Sequence, residues 1–151
     1  MTGSSHSGGA APHYAQQTVS YDTAARAVAA VIAAGQLAGL RLVAYVADPA
    51  MEPVAYGRAD GATPHSRETS RRKAMTAAST RRPTALLAPE LATALEHGSG
   101  GILTSIHGGV PLVFDGMHVG GLGVAGGRPD QDAEIAAQVL TEIGADPVAT
   151  A

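Results

Sequence analysis

From Ser105 to Gly127 the chain reads Ser-Ile-His-Gly-Gly-Val-Pro-Leu-Val-Phe-Asp-Gly-Met-His-Val-Gly-Gly-Leu-Gly-Val-Ala-Gly-Gly, two strand-like apolar runs with far more glycine than a strand tolerates. Glycine inside a strand weakens it, having no side chain to pack and more backbone entropy to lose than any other residue. Its presence at Gly108, Gly109, Gly120, Gly121, Gly123, Gly126 and Gly127 calls for tight turns, positive φ, or backbone brought close to a ligand or a neighbouring subunit. A fold built on this sequence must leave room there.

The 151 residues make one ordinary domain, able to bury roughly 68–70% of its unfolded surface. The hydrophobic content of 45% is chiefly Ala, Val and Leu, with one Phe and no Trp, so the core is built from small aliphatic side chains rather than aromatic walls. A net charge of −3 gives no general electrostatic reason to bind nucleic acid or an anionic membrane. The absence of cysteine excludes disulfides, thiolate metal sites and a thiol nucleophile. Residues 1–20 read as a disordered leader rich in Gly, Ser, Ala and His, 21–145 as the single domain and 146–151 as a tail. With no secretory or anchoring pattern in view, the expected location is cytoplasmic.

Apolar residues at Ala25, Val28, Ala29, Ile32 and Ala33 recur at helical spacing, behind Asp22 as N-cap or first-turn acid and ending near Gly35 or Gly39. Strands follow over Leu40 to Ala47 and Glu52 to Arg58, then a basic helix from Ser66 to Thr80 and a second from Ala85 to His97. Three more strands are expected at Ile102–Ile106, Val110–Phe114 and His118–Val124, the last two joined by the hairpin signal Asp115-Gly116. Pro129 to Ile143 closes the chain as a helix with acids in its first turns. The order α-β-β-α-α-β-β-β-α predicts an α+β fold with a mostly antiparallel five-stranded sheet flanked by helices. Gly121-Leu-Gly-Val-Ala-Gly spells G-x-G-x-x-G, but without a βαβ unit behind it the dinucleotide-binding reading fails.

Several motifs occur in one order: Arg58-Ala-Asp-Gly-Ala, Arg72-Lys-Ala-Met-Thr-Ala, Arg82-Pro-Thr, Gly108-Gly-Val-Pro-Leu, Gly116, and Val119-Gly-Gly-Leu-Gly-Val-Ala-Gly-Gly with Asp132 behind it. Together they resemble the GlcG/HbpS-like family of haem-binding or haem-degrading proteins, related to the C-terminal domain of PduO-type corrinoid adenosyltransferases, over about Tyr21 to Ile143. The resemblance implies an antiparallel sheet of about five strands, homo-oligomers from dimer to octamer, and in some members haem or a related tetrapyrrole at a surface or inter-subunit site. The chain departs from the family pattern at Ala125, at Ser79-Thr80-Arg81 and at Asp48-Pro-Ala-Met-Glu.

Lys73 lies four residues after Thr69 and seven after Ser66, so these share a helix face while Arg71 and Arg72 turn away. Lys73 is thus the expected inward cation, and with Arg58 it is a candidate to hold a ligand carboxylate or propionate, Asp60 positioning one of them. The plainer alternative for these charges is a set of salt bridges at a helix–sheet boundary. His107, ahead of Gly108-Gly109 at an expected strand end, is the candidate general base or axial iron ligand. His118 and His65 are lesser candidates, His97 reads as a helix-dipole contact, and Asp130 and Asp132 read as helix caps. No H-E-x-x-H and no histidine pair at helical spacing point to zinc, and no G-x-S-x-G elbow points to a serine hydrolase.

Three functions fit these residues. The first is an oligomeric haem-binding protein with Arg58 and Lys73 on propionates, His107 on iron and Gly108-Gly109 against the cofactor. The second is a cofactor-independent enzyme on a small carboxylated or carbonyl metabolite, with His107 or Asp60 moving a proton and Lys73 and Arg58 stabilising negative charge. The third is a non-catalytic assembly or sensing module whose glycines permit close subunit packing.

Overall fold

The computed structural model describes residues 9–84 and 87–148. Helix α1 (Tyr21–Leu37) starts at Ser20, whose hydroxyl accepts a hydrogen bond from the Thr23 N–H, while Asp22 sits in the first turn; Gly39, at φ 72°, follows its end. Strands β1 (Val43–Ala47) and β2 (Pro53–Arg58) form the first hairpin. Helix α2 (Ser66–Thr80) follows, then α3 (Pro89–Gly98), with Pro89 in its first turn. Strands β3 (Gly109–Phe114) and β4 (Met117–Ala125) turn at Asp115 and Gly116, both at positive φ as a two-residue hairpin loop demands. Helix α4 (Pro129–Glu142) ends the domain.

Among the described residues the sheet has four strands, in the order β2-β1-β4-β3, with every neighbouring pair antiparallel. The α+β expectation holds, but the five-stranded sheet and its element order do not: the fifth strand, Ile102–Ile106, is irregular, and the order is α-β-β-α-α-β-β-α. The reason is local. Glu96 Oε1 accepts hydrogen bonds from the Thr104 hydroxyl and the Ser105 N–H, and the Thr76 hydroxyl accepts from the Thr104 N–H, so side chains meet polar groups that a partner strand would have met. The open edge where such a strand would dock is also closed. Pro111 lacks a donor, Thr84 bonds Gly109 through its backbone N–H and its hydroxyl, and the Asp146 N–H bonds Val113 O.

One face of the sheet presents Ala44, Val46, Val110, Leu112, Leu122 and Val124 to α1 and α4, which meet it with Ala27, Val31, Ile135, Val139 and Leu140. Each buried Val or Leu contributes about 1.5–3 kcal/mol, enough for this layer to form the core. The other face is where the glycines matter. A methyl group on Gly109 would stand 2.5 Å from the Lys73 carbonyl oxygen, on Gly121 2.5 Å from Ala78 N and on Gly123 2.6 Å from Ala74 N. The room they leave is occupied by α2 of the same chain, which lies with its backbone almost on the strands through Ser70, Ala74 and Ala78.

Candidate functional site

Because α2 descends so far onto the sheet, the long side chain of Lys73 is driven into the protein. Lys73 is 1% exposed. Its Nζ donates to Asp132 Oδ2 at 2.8 Å and to Val124 O at 2.8 Å, and Asp132 Oδ1 accepts from the Gly127 N–H at 2.9 Å. Burial pushes the Lys73 pKa below its ordinary value, with the Asp132 carboxylate opposing the shift. Gly108, at φ 126°, completes the packing: a methyl there would meet Val124 O, Lys73 Nζ and Asp132 Cβ at 2.6–3.0 Å.

This ion pair lies in the wall of a cavity of about 430 Å³ between the N-termini of α2 and α4. Ser66, Thr69 and Lys73 line it together, as their helical spacing requires, with His65 beside them and Ile106 from the irregular loop. Arg71 and Arg72 turn outward and clamp Glu68 at 2.7 and 2.9 Å, holding its pKa near about 2, chiefly through the Arg71 hydrogen bond.

The other sequence candidates are placed as follows. His107 is exposed and does not line the cavity, although Gly108, the next residue, packs on Lys73. Arg58 and Asp60 are exposed and make no ion pair among the described residues. Arg58 pairs across β1 with Val43, which pairs in turn with Ala125 on the cavity rim, a separation of roughly 10 Å at ordinary strand spacing. The structure therefore joins Lys73 to Asp132 and His65, not to Arg58 and His107. Asp132 had a legible signal: it stands on the buried stripe of α4 with Ile135, Ala136 and Val139.

His118 lies elsewhere. A register shift between Leu112 and Val113 resets the alternation of β4, bringing the His118 ring to α2, where Nε2 is 2.7 Å from Ala78 O. Its Nδ1 is buried without a partner, and burial lowers its pKa, the Ala78 carbonyl opposing and the Arg81 charge reinforcing that shift. Arg82-Pro-Thr leads to a smaller hollow of about 250 Å³ under α3, lined by Thr76, Arg82, Thr84 and Leu95 among others. A hollow between α1 and α4, about 320 Å³, has Glu134 as its one charged lining residue. Among the described residues no three His, Asp or Glu side chains cluster to hold a metal ion, and no helix is long and apolar enough to cross a membrane.

A haem site asks for an iron ligand, an apolar wall and cations for the carboxylates. The imidazoles of His65 and His107 are exposed and make no hydrogen bond within the described residues. Ile102 and Ile106 are 39% and 43% exposed on the loop that ends at His107. Arg58 and Arg67 are exposed cations. The cavity lies at the small end of ligand pockets, which run roughly 300–1,000 Å³, and of these residues only His65 and Ile106 line it, so a haem would meet them at the surface rather than in a deep cleft.

The chain is similar to several known proteins. The family model described as haem degrading protein HbpS-like matches residues 19–141. The crystal structure of a double mutant of HbpS from Streptomyces reticuli is similar at 28% identity, covering 95% of this chain and 99% of that one with a TM-score of 0.79. A second HbpS structure is 30% identical over 88% of this chain and 95% of its own, TM-score 0.79. A PduOC–haem complex is 25% identical over 87% of this chain and 99% of its own, TM-score 0.80. A search of curated proteins finds no match.

Proposed function

The chain belongs to the family of HbpS-like haem-degrading proteins, and from that premise we propose that it binds haem at its surface, against the loop 102–107 and the mouth of the Lys73 cavity. The observation that carries this reading is the pairing of two free imidazoles with an exposed apolar wall. His107 follows Ile106 in the chain, and His65 lines the same cavity as Ile106. His107 serves as iron ligand, with His65 the second candidate, and the exposed Arg58 and Arg67 attract the carboxylates. When bound, haem supplies a redox-active iron. The chain's own part is to offer nitrogen ligands, to cover the macrocycle with Ile102 and Ile106, and to keep Lys73 neutralised by Asp132. The assembly reading loses its motive where α2 fills the space over Gly109, Gly121 and Gly123.

A site this shallow leaves much of the macrocycle uncovered, which favours its completion by a second copy of the chain; sedimentation with and without haem reads that step. The primary test is titration with haem followed at the Soret band. Saturable binding is expected, with a shifted or weakened band in His107→Ala or His65→Ala. Absence of a saturable Soret change in the unaltered protein overturns the proposal, and unchanged spectra in both variants overturn the ligand assignment.

A further inference from the structure

The Lys73 ammonium has three N–H donors, and Val124 O and Asp132 Oδ2 take two of them. No third protein acceptor stands within reach among the described residues, although Lys73 is 1% exposed. A second donor stands in the same wall, on a pair of hydroxyls of which Thr63 is exposed and Ser66 buried. Ser66, 2% exposed, shares a 2.6 Å hydrogen bond with the Thr63 hydroxyl; the two hydroxyls carry two hydrogens and that bond uses one. Lys73 therefore leaves a buried donor unspent in the cavity wall, which costs stability unless an acceptor enters, and the Thr63–Ser66 pair has one further hydroxyl hydrogen to offer at the same wall. The first turns of α2 and α4 both border the cavity through Ser66 and Pro129, adding the positive ends of two helices. The negative charge nearby is already engaged: one Asp132 oxygen accepts from Lys73 and the other from the Gly127 N–H.

We propose that this cavity is a carboxylate site, in which one carboxylate group accepts the free N–H of Lys73 and the free hydroxyl hydrogen of the Thr63–Ser66 pair. The inference stands whether or not haem binds outside, since the donors belong to the cavity itself. The carboxylate is borne either by a small free acid or by the edge of a larger ligand such as a haem.

The test uses haem-free protein titrated with sodium acetate, followed by backbone amide NMR, with sodium chloride at equal ionic strength as control. Saturable shifts confined to Thr63–Ser66 and Gly126–Gly127 are expected with acetate and not with chloride. The double variant Thr63→Val/Ser66→Ala, which removes both hydroxyls and leaves the Lys73–Asp132 pair intact, is expected to weaken acetate binding about tenfold through loss of one hydrogen bond to a charged group. No saturable shift up to about 100 mM acetate, a roughly millimolar-or-weaker ceiling for a small ligand, or identical shifts with chloride, overturns the site. An unchanged affinity in the double variant overturns the donor assignment. A competition arm separates the sources. Acetate that displaces haem but not haem dimethyl ester assigns the carboxylate to haem, whereas acetate that binds without displacing either assigns it to a free acid.

Discussion

Replacing Gly123 with Ala tests whether α2 is the reason for the glycine-rich strands. The added methyl would overlap the Ser70 carbonyl oxygen and stand 2.6 Å from Ala74 N, where ordinary contact begins at 3.4 Å. Both opposing atoms are helix backbone, so no side chain can rotate away, and α2 would have to retreat by more than roughly 1 Å to clear the Ser70 carbonyl. Overpacking of this kind costs about 1–3 kcal/mol. The retreat also draws Lys73 Nζ from Asp132 and Val124 O, which it reaches at 2.8 Å, and weakening a buried ion pair adds to the cost. A loss of about 3 kcal/mol is expected, which at 2–4 °C per kcal/mol lowers Tm on the order of 6–12 °C. Gly98→Ala is the control: a methyl there meets nothing within 4 Å at the end of α3, and the change should stay within about 1 kcal/mol of neutral or stabilise. Urea denaturation followed by circular dichroism reads both variants. A Gly123→Ala midpoint indistinguishable from the parent's would refute the packing argument.

Two further outcomes follow from the buried polar groups. Lys73→Met leaves Asp132 buried without its cation and is expected to cost about 3–5 kcal/mol, as is Asp132→Leu, whereas the double variant should recover most of the loss; equal damage in single and double variants would show that the pair is not the cause. His118 has its pKa held below the ordinary value, mainly by burial, so the unfolded chain takes up the proton first and stability falls as pH drops from about 6.5 through the folded value. Tm measured at pH 7.5 and 5.5 should drop with acid in the parent and drop less in His118→Gln; parallel slopes would contradict this assignment.

How much of this was legible beforehand depended on whether the signal was local. Asp115-Gly116 specified its own turn, and the Ser66, Thr69, Lys73 spacing specified a shared helix face, because both rest on backbone geometry within a few residues. The glycines announced that space was needed but not what fills it. The alternation of Gly121 and Gly123 marked one sheet face, yet the tenant, α2, lies some fifty residues earlier in the chain. Ile102–Ile106 has a strand's composition, and what excludes it from the sheet is only in part nearby: Glu96 of α3 stands a few residues before it, whereas Thr84 and Pro111 act from the adjoining edge. Asp132 stood on a legible buried stripe of α4, but its partner Lys73, 2.8 Å away, comes from α2 and a sequence separation of 59 residues, which no local pattern reveals. The exposure of His107 had no counterpart in its sequence neighbourhood.

The glycine strands and the cavity are mechanically one device. Gly109, Gly121 and Gly123 set the depth of α2, the depth of α2 sets where the Lys73 ammonium arrives, and Gly108 and Gly127 admit that ammonium and its Asp132 partner without steric cost. Ser66 and Thr69 ride on the same helix, so a displacement of α2 moves both walls that it contributes to the cavity. A substitution under the helix, remote from any ligand, should therefore lower ligand affinity and stability together. A substitution at the exposed His107 should separate them, changing haem spectra while leaving the denaturation midpoint in place.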